Sequence, residues 1–352
     1  MRVAIDATPL TLSSGGLRRY TLELSLALAR NFPEDAFFLV SDQPFAAPPG
    51  SPVNLLRGNG PRHAAERRWW LWGLDRELHR LQAGLFHGTD FAVPYVPRRP
   101  SVLTLHDLSP WMDPAWHSNA QRVQRRTPLL IGLGLATMIV TPSEVVRKQA
   151  MEKFRIHGSR IRAVPHAAAP VFRPVAAPPA ASPYFLYAGT LEPRKNLDGL
   201  LSAWREVRRQ HAVDLVLVGR RRTDFPQLSP EPGLQILGEL SDEHLADRLS
   251  GALAFVYPSF YEGFGFPVLE AMQCGACVIT STDPSIAEVA EDAAIRTASP
   301  VELARAMSAI AAHPEQARPW RERALKRAAD FSWARSARLT HEVYEEACRR
   351  FT

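Results

Sequence analysis

The sequence has few cysteines, and it lacks both a long apolar run and a secretion signal. Only Cys274, Cys277 and Cys348 among its 352 residues are cysteines, which argues against a disulfide-stapled secreted domain. The longest apolar run, 128–140, is shorter than the roughly 18 residues that cross a bilayer, and it predicts a buried helix running into a strand. The N-terminal text MRVAIDATPL has no charged segment followed by an apolar one. These absences favour a protein of the reducing cytoplasm.

The chain also lacks a recognisable metal-binding motif. Cys274 and Cys277 have the spacing of half a zinc or redox site, but no second pair follows and no histidine is close in sequence. We therefore expect packed thiols at these two positions. No Asp-x-Asp text occurs either, and the sequence predicts a protein without a metal ion or a cofactor.

Charge is unevenly divided along the chain. The net charge is +6, but residues 1–170 hold 21 Lys and Arg against 13 Asp and Glu, whereas residues 171–352 hold 21 against 23. A basic half favours an anionic partner such as a phospholipid surface, a diphosphate-bearing acceptor or nucleic acid. An arginine-rich surface with no such partner would give the same count.

Composition and periodicity predict an α/β protein. The chain is 46% hydrophobic and 22% charged, which is typical of globular proteins, and its length exceeds that of one usual domain. In the first half, apolar strand-like runs alternate with helical patterns, as in a parallel sheet covered on both faces. The elements predicted there are strands at Arg2–Asp6, Phe37–Val40, Leu85–His87, Val102–Leu105, Thr137–Thr141 and Ile161–Val164, with helices at Leu17–Arg30 and after the N-cap Ser143.

A proline-rich segment, 170–183, separates this half from a second alternation, because its five prolines cannot continue a helix or a central strand. The elements predicted after it are strands at Tyr184–Tyr187, Asp214–Val218, Leu234–Leu237, Leu253–Tyr257 and Cys277–Thr280, with helices from Asn196 to about His211, from Asp242 and from near Pro267. We predict two Rossmann-like domains, 1–172 and 183–330, that face each other across a cleft. A C-terminal helix, 331–352, is expected to cross back to the first domain.

The strongest motif, EGFGFPVLE, runs from Glu262 to Glu270, directly after a predicted strand and at the start of a helix. Gly263 and Gly265 let the backbone approach a ligand, and Pro267 suits a first helical turn, so backbone amides gather beside Glu262. Glu270 would lie deeper along the helix, where a carboxylate can accept both hydroxyls of a ribose. A turn with two solvated glutamates is equally compatible with the spacing alone.

The same segment resembles a family signature. EGFGFPVLEAMQCG is similar to the E-x7-E signature of family 4 retaining glycosyltransferases, which have two Rossmann-like domains (the GT-B type). The resemblance spans nearly the full chain. Its further segments are SSGGLRRY (13–20), similar to the glycine loop that faces the donor phosphate, VTPSE (140–144), AVPHAAAPVFRP (163–174), the donor-diphosphate segment AGTLEPRKN (188–196) and the closing helix FSWARSARLTHEVY (331–344). The texts EPRKN and HDLSP are most similar to bacterial polysaccharide mannosyltransferases.

The resemblance implies a role for each matching residue. Glu262 would contact hydroxyls of the transferred sugar, and Glu270 would hold the ribose. Arg194 and Lys195 would neutralise the diphosphate leaving group, because fixed cations stabilise its growing charge in the transition state. The other donor-binding residues implied by the resemblance are Gly15, Gly16, Gly263, Phe264, Gly265 and Phe266.

One difference from the family pattern leaves open which residues form the cationic pair that faces the diphosphate. Many members carry an arginine soon after the glycine of this strand, where this chain has Thr190. The pair is therefore either Arg194 with Lys195, or Lys195 assisted by Arg220. An ordinary basic loop also explains 220–222.

His106 and Asp107 follow the strand Val102–Leu105, at the end of a parallel sheet where ligands bind. The resemblance implies that His106 faces the sugar near the acceptor. Its use as a general base stays open, because retaining enzymes of this kind let the leaving phosphate take the acceptor proton. Asp107 would orient the histidine.

The segment Arg67–Arg80 combines three tryptophans with arginines at helical spacing. It resembles an amphipathic helix lying on a membrane surface, although tryptophans also anchor ordinary cores and Gly73 weakens the helix. As a hypothesis, it predicts peripheral contact with the inner face of the membrane.

The sequence thus predicts a cytoplasmic, metal-independent, retaining glycosyltransferase. The first domain would bind a saccharide or lipid-linked saccharide acceptor, and the second would bind a nucleoside-diphosphate sugar as co-substrate, with GDP-mannose placed first. Two alternatives stay open, a nucleotide-sugar epimerase of the same architecture and a non-catalytic protein that binds nucleotide sugar or nucleic acid. The arginines form no aromatic-interleaved RNA motif, so we expect no nucleic-acid partner.

Overall fold

The computed structural model describes residues 1–48, 50–117, 120–176 and 182–351. Counting only these positions, the chain forms two compact units. The first unit is built from 1–112, 119–166 and 332–352, and the second from 113–118 and 167–331. Part of the predicted proline-rich linker, 177–181, lies outside the described residues.

The first unit is built on a seven-stranded parallel sheet. The strands are β1 (Arg2–Asp6), β2 (Ala36–Val40), β3 (Leu55–Arg57), β4 (Leu85–Gly88), β5 (Ser101–Thr104), β6 (Met138–Thr141) and β7 (Ile161–Ala163), in the order β3-β2-β1-β4-β5-β6-β7. In the register of the sheet, Val3 pairs with Phe37 on one side and with Leu85 on the other. Every residue of β4, β5 and β6 is buried, as their continuous apolar text predicts. The short strand β3 was not predicted, because two of its three side chains are exposed.

Helices α1 (Gly16–Asn31), α2 (Leu74–Arg80), α3 (Gln121–Gly132), α4 (Glu144–Phe154) and α11 (Trp333–Arg350) complete the first unit. Ser143 caps α4, as predicted, by accepting a hydrogen bond from the amide of Val146. The C-terminal helix α11 packs on α1 and contacts β5 and β6. The chain therefore returns to the first unit after it has completed the second.

The second unit is built on a six-stranded parallel sheet. The strands are β8 (Tyr184–Ala188), β9 (Asp214–Val218), β10 (Leu234–Ile236), β11 (Ala254–Tyr257), β12 (Val278–Thr280) and β13 (Ile295–Arg296), in the order β10-β9-β8-β11-β12-β13. Its helices are α5 (Leu197–Arg208), α6 (Asp242–Gly251), α7 (Phe266–Gln273), α8 (Pro284–Ala290), α9 (Pro300–Ala312) and α10 (Arg318–Ala328). Ala168, Ala169 and Phe172 pack in its core, so the chain joins the second unit at residue 167, earlier than the position 172 placed from the prolines.

Chain order reverses once in each sheet, between β1 and β4 in the first unit and between β8 and β11 in the second. Parallel sheets bind ligands outside the carboxyl ends of the strands at such a reversal, where loops leave in opposite directions and open a crevice. The two Rossmann-like units of the predicted fold class are therefore present, and each has one such place.

Two predictions about the first unit need correction. The run 128–140 passes from α3, which ends at Gly132, into β6, as predicted, but Leu129 and Leu133 are 55% and 65% exposed, so its helical part is only partly buried. The segment 67–80 is not one amphipathic helix. It consists of a 3₁₀ turn, a π-helical stretch at Trp69–Gly73 and α2.

Trp69 is buried, and only Leu71 and Trp72 of the π-helical stretch are well exposed, at 44% and 55%. A Cβ atom at Gly73 would come 2.0 Å from the carbonyl oxygen of Glu66 and 3.0 Å from the ring of Trp69. Only glycine therefore fits the close packing of this stretch against the preceding turn. Among the described residues, no helix combines the length and the apolar character needed to cross a membrane.

Candidate active site

The second unit brings three predicted site residues together at the reversal between β8 and β11. Glu262 follows β11, and Arg194 and Lys195 lie in a 3₁₀ turn after β8. The Nζ atom of Lys195 donates to Oε1 of Glu262 at 2.5 Å, and Nη1 of Arg194 donates to Oε2 at 3.2 Å. The hydroxyl of Tyr257, at the end of β11, accepts from Lys195 at 2.8 Å and donates to Glu262 at 3.0 Å. One carboxylate thus has three donors.

Backbone hydrogen bonds hold these two loops against each other. The carbonyl of Arg194 accepts from the amide of Phe260 at 2.9 Å and from the hydroxyl of Ser259 at 3.3 Å. Arg194 returns a bond through Nη1 to the carbonyl of Tyr261 at 2.7 Å. The pairing of Lys195 with Glu262 is therefore fixed by the main chain and does not depend on the long side chains alone.

A wider charged network continues from Arg194. Its Nη2 atom donates to Glu192 at 2.9 Å, and Nη1 of Arg222 lies 3.3 Å from the other oxygen of Glu192. Arg222 also donates to the carbonyl of Trp116, whose ring stacks on that of Tyr261. Arg222 also pairs with Asp224, so three cations face three carboxylates in this network.

Burial and the charges of this network shift the pKa values of three of its members. Burial opposes ionisation of Glu262, but Lys195 and Arg194 outweigh it and lower the pKa of the carboxyl to about 2. Burial lowers the pKa of Lys195, and the neighbouring Arg194 charge adds to this effect. Burial raises the pKa of Tyr257 well above its ordinary value, so its hydroxyl keeps its proton and can donate to Glu262.

The rest of the E-x7-E segment turns from the loop into α7. Gly265 has φ +93° and caps α7, and Pro267 is its second residue, as predicted. Phe264 packs in the core of the second unit, so only its backbone can meet a ligand. Glu270 is buried in the middle of α7.

The remaining predicted residues lie in the first unit. Gly15, with φ +105°, caps α1, and Gly16 begins it. Both are exposed, which leaves the start of this helix accessible to a ligand. His106 follows β5 and is half-buried.

The ring of His106 has a defined tautomer. Its Nε2 atom lies 2.7 Å from the carbonyl oxygen of Thr89, and because a carbonyl only accepts, Nε2 carries the proton. Nδ1 is then the acceptor. Burial lowers the pKa of His106, so the neutral ring is favoured. Asp107 does not orient the ring as predicted, because its carboxylate accepts from the amide and the hydroxyl of Ser109.

A series of buried, hydrogen-bonded side chains packs against His106. The ring of Tyr20 meets that of His106 edge-on at 4.9 Å, and its hydroxyl lies 2.9 Å from Oγ1 of Thr104. Thr104 bonds Nε2 of His87 at 2.7 Å, and Nδ1 of His87 bonds the hydroxyl of Tyr344 at 2.7 Å. The C-terminal helix α11 is thus tied to the strands that precede His106.

Comparison with known proteins agrees with these two units. Residues 170–327 match the model of the family described as glycosyl transferases group 1, and residues 14–170 match that of glycosyltransferase family 4. Across 98% of its length, the chain is 31% identical to the whole of the O-antigen chain mannosyltransferase B of Escherichia coli. The chain belongs to the group 1 glycosyltransferases.

Solved structures show the same fold for this glycosyltransferase. Sucrose-phosphate synthase from Thermosynechococcus elongatus superposes with a TM-score of 0.74 at 19% identity, and the match covers 98% of each chain. The Anabaena protein HepE in complex with UDP-glucose gives a TM-score of 0.73 at 16% identity, covering 98% of this chain and all of that one. At these identities the likeness concerns the GT-B fold alone.

The charged site of this glycosyltransferase consists of Lys195, Arg194, Glu262, Tyr257, Glu192 and Arg222. Three of these residues were not predicted from the sequence. Tyr257, Glu192 and Arg222 were not singled out, although each is at or soon after the carboxyl end of a strand. That position was the available indication, because ligands meet parallel sheets there. Arg220 of the alternative cationic pair is exposed, whereas Lys195 and Arg194 both reach Glu262.

The cysteines of the glycosyltransferase do not form a reactive pair. Cys274 and Cys277 are free and buried, as predicted, and burial raises the pKa of each thiol to about 12. Within the described ranges, no three His, Cys, Asp or Glu side chains are grouped as a metal ion requires.

Proposed function

We propose that this glycosyltransferase is a retaining, metal-independent mannosyltransferase that transfers mannose from GDP-mannose to a hydroxyl of a saccharide or lipid-linked saccharide. The observation that carries the proposal is the full-length relationship to the O-antigen chain mannosyltransferase B of Escherichia coli. The choice of guanine nucleotide rests on the similarity of EPRKN and HDLSP to bacterial mannosyltransferases.

The charged site supplies the chemistry that such a transfer needs. Breaking the bond between sugar and diphosphate leaves growing negative charge on the leaving group, and Lys195 and Arg194 would stabilise it in the transition state. Glu262 stays ionised at any working pH because its pKa is about 2, so it can accept hydrogen bonds from hydroxyls of the transferred sugar. The buried carboxylate of Glu270 would hold the ribose.

Retention of configuration requires the acceptor hydroxyl to attack the anomeric carbon from the same face of the sugar from which the diphosphate departs. The leaving phosphate oxygen then takes the acceptor proton, and no side chain has to act as base. His106 would accept a hydrogen bond from a substrate hydroxyl through Nδ1 and would position it. This assignment uses the tautomer fixed by Thr89.

The donor is tested by thermal shift with UDP, GDP, ADP and TDP and their common sugars, because a ligand that binds only the folded state raises the melting temperature. We expect GDP and GDP-mannose to respond, and Lys195→Ala and Glu270→Ala to lose the response. An increase with another nucleotide alone would replace the proposed donor. Proton NMR of the first product formed then reads its anomeric configuration, and a β-mannoside from an α-linked donor would contradict retention.

Metal independence is tested with the same transfer reaction. We expect the rate to stay unchanged after exhaustive treatment with EDTA, because the cations near the leaving group are side chains. A loss of activity that Mg²⁺ or Mn²⁺ restores would contradict this part of the proposal.

We also propose that the enzyme works in the cytoplasm at the inner face of the membrane. The exposed side chains of Leu71 and Trp72 support contact with the membrane. The amide of Tyr95 donates to the carbonyl of Trp70, and this bond holds the basic loop that follows Tyr95 beside Leu71 and Trp72. Arg76, His79, Arg98 and Arg99 line a cavity of about 410 Å³ in this region together with Asp75 and Arg80. Basic and apolar groups side by side suit anionic lipid.

Vesicles with and without anionic lipid test the membrane contact by co-sedimentation. We expect anionic vesicles to retain the wild type but not the variant Leu71→Ser with Trp72→Ser. Ile236→Ser, an equally exposed apolar position in the second unit, is the matched control. Equal recovery of all three proteins would contradict the contact.

A further inference from the structure

A cavity of about 610 Å³ lies in the first unit at the reversal between β1 and β4. Its acidic side chains come from the carboxyl ends of three strands. Asp6 ends β1, Asp42 follows β2, and Asp90 follows β4. The volume is in the usual range for a site that encloses a small molecule.

The cavity also has a basic lining. Arg122 and Arg126 are one helical turn apart on α3, and Arg67 and Arg68 line the cavity as well. The guanidinium carbon of Arg126 lies 5.5 Å from the centre of the Trp70 ring, which fixes the arginine through a cation–π contact. The cavity therefore presents carboxylates and guanidinium groups to the same occupant.

Two side chains of the cavity have polar atoms that find no hydrogen-bond partner among the described residues. Asp90 makes no hydrogen bond with any described residue, although burial is deep enough to raise its pKa. The Nε atom of Arg126 is buried without a hydrogen-bond partner among the described residues. Buried polar groups are normally satisfied, so the Nε atom of Arg126 indicates a polar ligand, and the half-buried carboxylate of Asp90 is left to accept from the same ligand.

The two kinds of lining narrow the chemistry of that ligand. Carboxylates accept hydrogen bonds from neighbouring hydroxyls of a sugar, whereas arginines hold phosphate or carboxylate groups. A nucleoside diphosphate alone would place its charge beside three carboxylates, and a neutral sugar would leave the arginines without an anion. A sugar that carries an anionic group satisfies both sides.

We propose that this cavity binds the acceptor, and that the acceptor is a saccharide with an anionic group on or next to the sugar held by Asp6 and Asp90. The inference rests on the proposed function, since it names the second substrate of the same reaction. The carbonyl oxygen of Thr89, the residue before Asp90, lies 2.7 Å from Nε2 of His106. The cavity therefore adjoins the histidine whose Nδ1 atom is left to accept a hydrogen bond.

Direct binding without any donor tests the inference. The probes are methyl α-mannoside, α-mannose 1-phosphate, mannose 6-phosphate and inorganic phosphate, with glucose 1-phosphate as a second hexose. Their affinities are measured by ligand-observed NMR on the full-length protein. The 1-phosphates represent a lipid-linked acceptor, whose anion is at the anomeric carbon, and the 6-phosphate represents an acidic saccharide.

We expect at least one hexose phosphate to bind ten times more tightly than methyl α-mannoside and than inorganic phosphate. Arg126→Gln and the more exposed Arg122→Gln should each remove most of this difference, while Asp90→Asn should weaken the hexose phosphates and the methyl glycoside alike. Arg125→Gln is the matched control, because Arg125 is an exposed neighbour on α3 that does not line the cavity. Melting temperatures establish that each variant is folded.

Equal affinity for phosphorylated and neutral sugars would overturn the inference, as would inorganic phosphate binding as tightly as the hexose phosphates. Unchanged affinities in both arginine variants would overturn it too. Failure of the proposed function looks different, because then no nucleoside-diphosphate sugar binds to the second unit whatever these probes do.

Discussion

The Nζ atom of Lys195 lies 2.5 Å from Oε1 of Glu262, although the two residues are 67 positions apart in the sequence. Removing one partner leaves the other charge buried. We therefore expect Lys195→Met or Glu262→Gln alone to lower the free energy of unfolding, by up to about 3–5 kcal/mol. The double variant should recover most of that loss, because no charge is then left without its partner.

Activity should not follow stability in this series. All three proteins should transfer sugar at least about 10²-fold more slowly, since both residues contact the transition state in the proposed mechanism. Chemical denaturation and initial rates on the same preparations separate the two effects. A double variant as active as wild type would show that the pair is only structural.

Tyr257→Phe should slow transfer while leaving the fold intact. The hydroxyl bridges Lys195 and Glu262, so its loss leaves the two charged groups less well positioned, and we expect kcat to fall about tenfold with a smaller change in the donor KM. Tyr187→Phe is the matched control. Its ring stacks on Tyr257, but its hydroxyl donates to the carbonyl of Thr190 and reaches neither charged group. Equal losses in both variants would mean that the loss of any buried hydroxyl here slows transfer and that the bridge has no special role.

His106 should be neutral throughout the working pH range. Because burial lowers its pKa below the ordinary value of 6.5, the proton is already lost above that pH. We expect kcat/KM to show no ionisation of this residue between pH 6.5 and 8. An inflection in that window that disappears in His106→Gln, where the amide can still donate to Thr89, would contradict the neutral state of the ring.

Acid should destabilise the first unit through His87. Burial lowers the pKa of His87 to about 3, so between pH 6.5 and 3 the unfolded chain binds a proton that the folded chain does not. Stability is then lost as the pH falls, by at most about 1.4 kcal/mol per pH unit for this group. The slope in His87→Gln should be shallower by up to that amount.

Other buried groups act on the same measurement. Burial raises the pKa of Asp6 and of Asp283 to about 6, and these carboxyls favour the folded state as the pH falls. Their contribution is present in wild type and variant alike, so the difference between the two slopes isolates His87. Identical slopes would show that the ring titrates normally.

Glu262, Arg194 and Lys195 of the charged site were predictable because they lie in two short, continuous segments. Each segment follows an apolar strand, and parallel strands bring their carboxyl ends to one edge. The segments 188–196 and 262–270 therefore lie at the same edge of the sheet, because the strands before them are neighbours. Local sequence was enough to bring Lys195 near Glu262.

Contacts between distant segments were not predictable in the same way. Arg222 donates to Trp116, 106 positions away, and His87 meets Tyr344 across 257 positions. No spacing rule connects such residues, since their meeting depends on how helices and loops pack after the sheets form. The edge strands β3 and β13 were not predicted for another reason. Strands of two or three residues are too short to show a periodic pattern.

The path of the chain through the two units has a consequence for synthesis. Apart from 113–118, the second unit is continuous from 167 to 331, whereas the first unit needs residues from both sides of it. Domains usually fold in the order in which they leave the ribosome. Here the first sheet emerges early but waits for α11 to supply Tyr344, the partner of His87, so the second unit is the first to be finished. A nascent chain stalled once residue 331 has left the ribosome would hold a completed second unit and an unfinished first one.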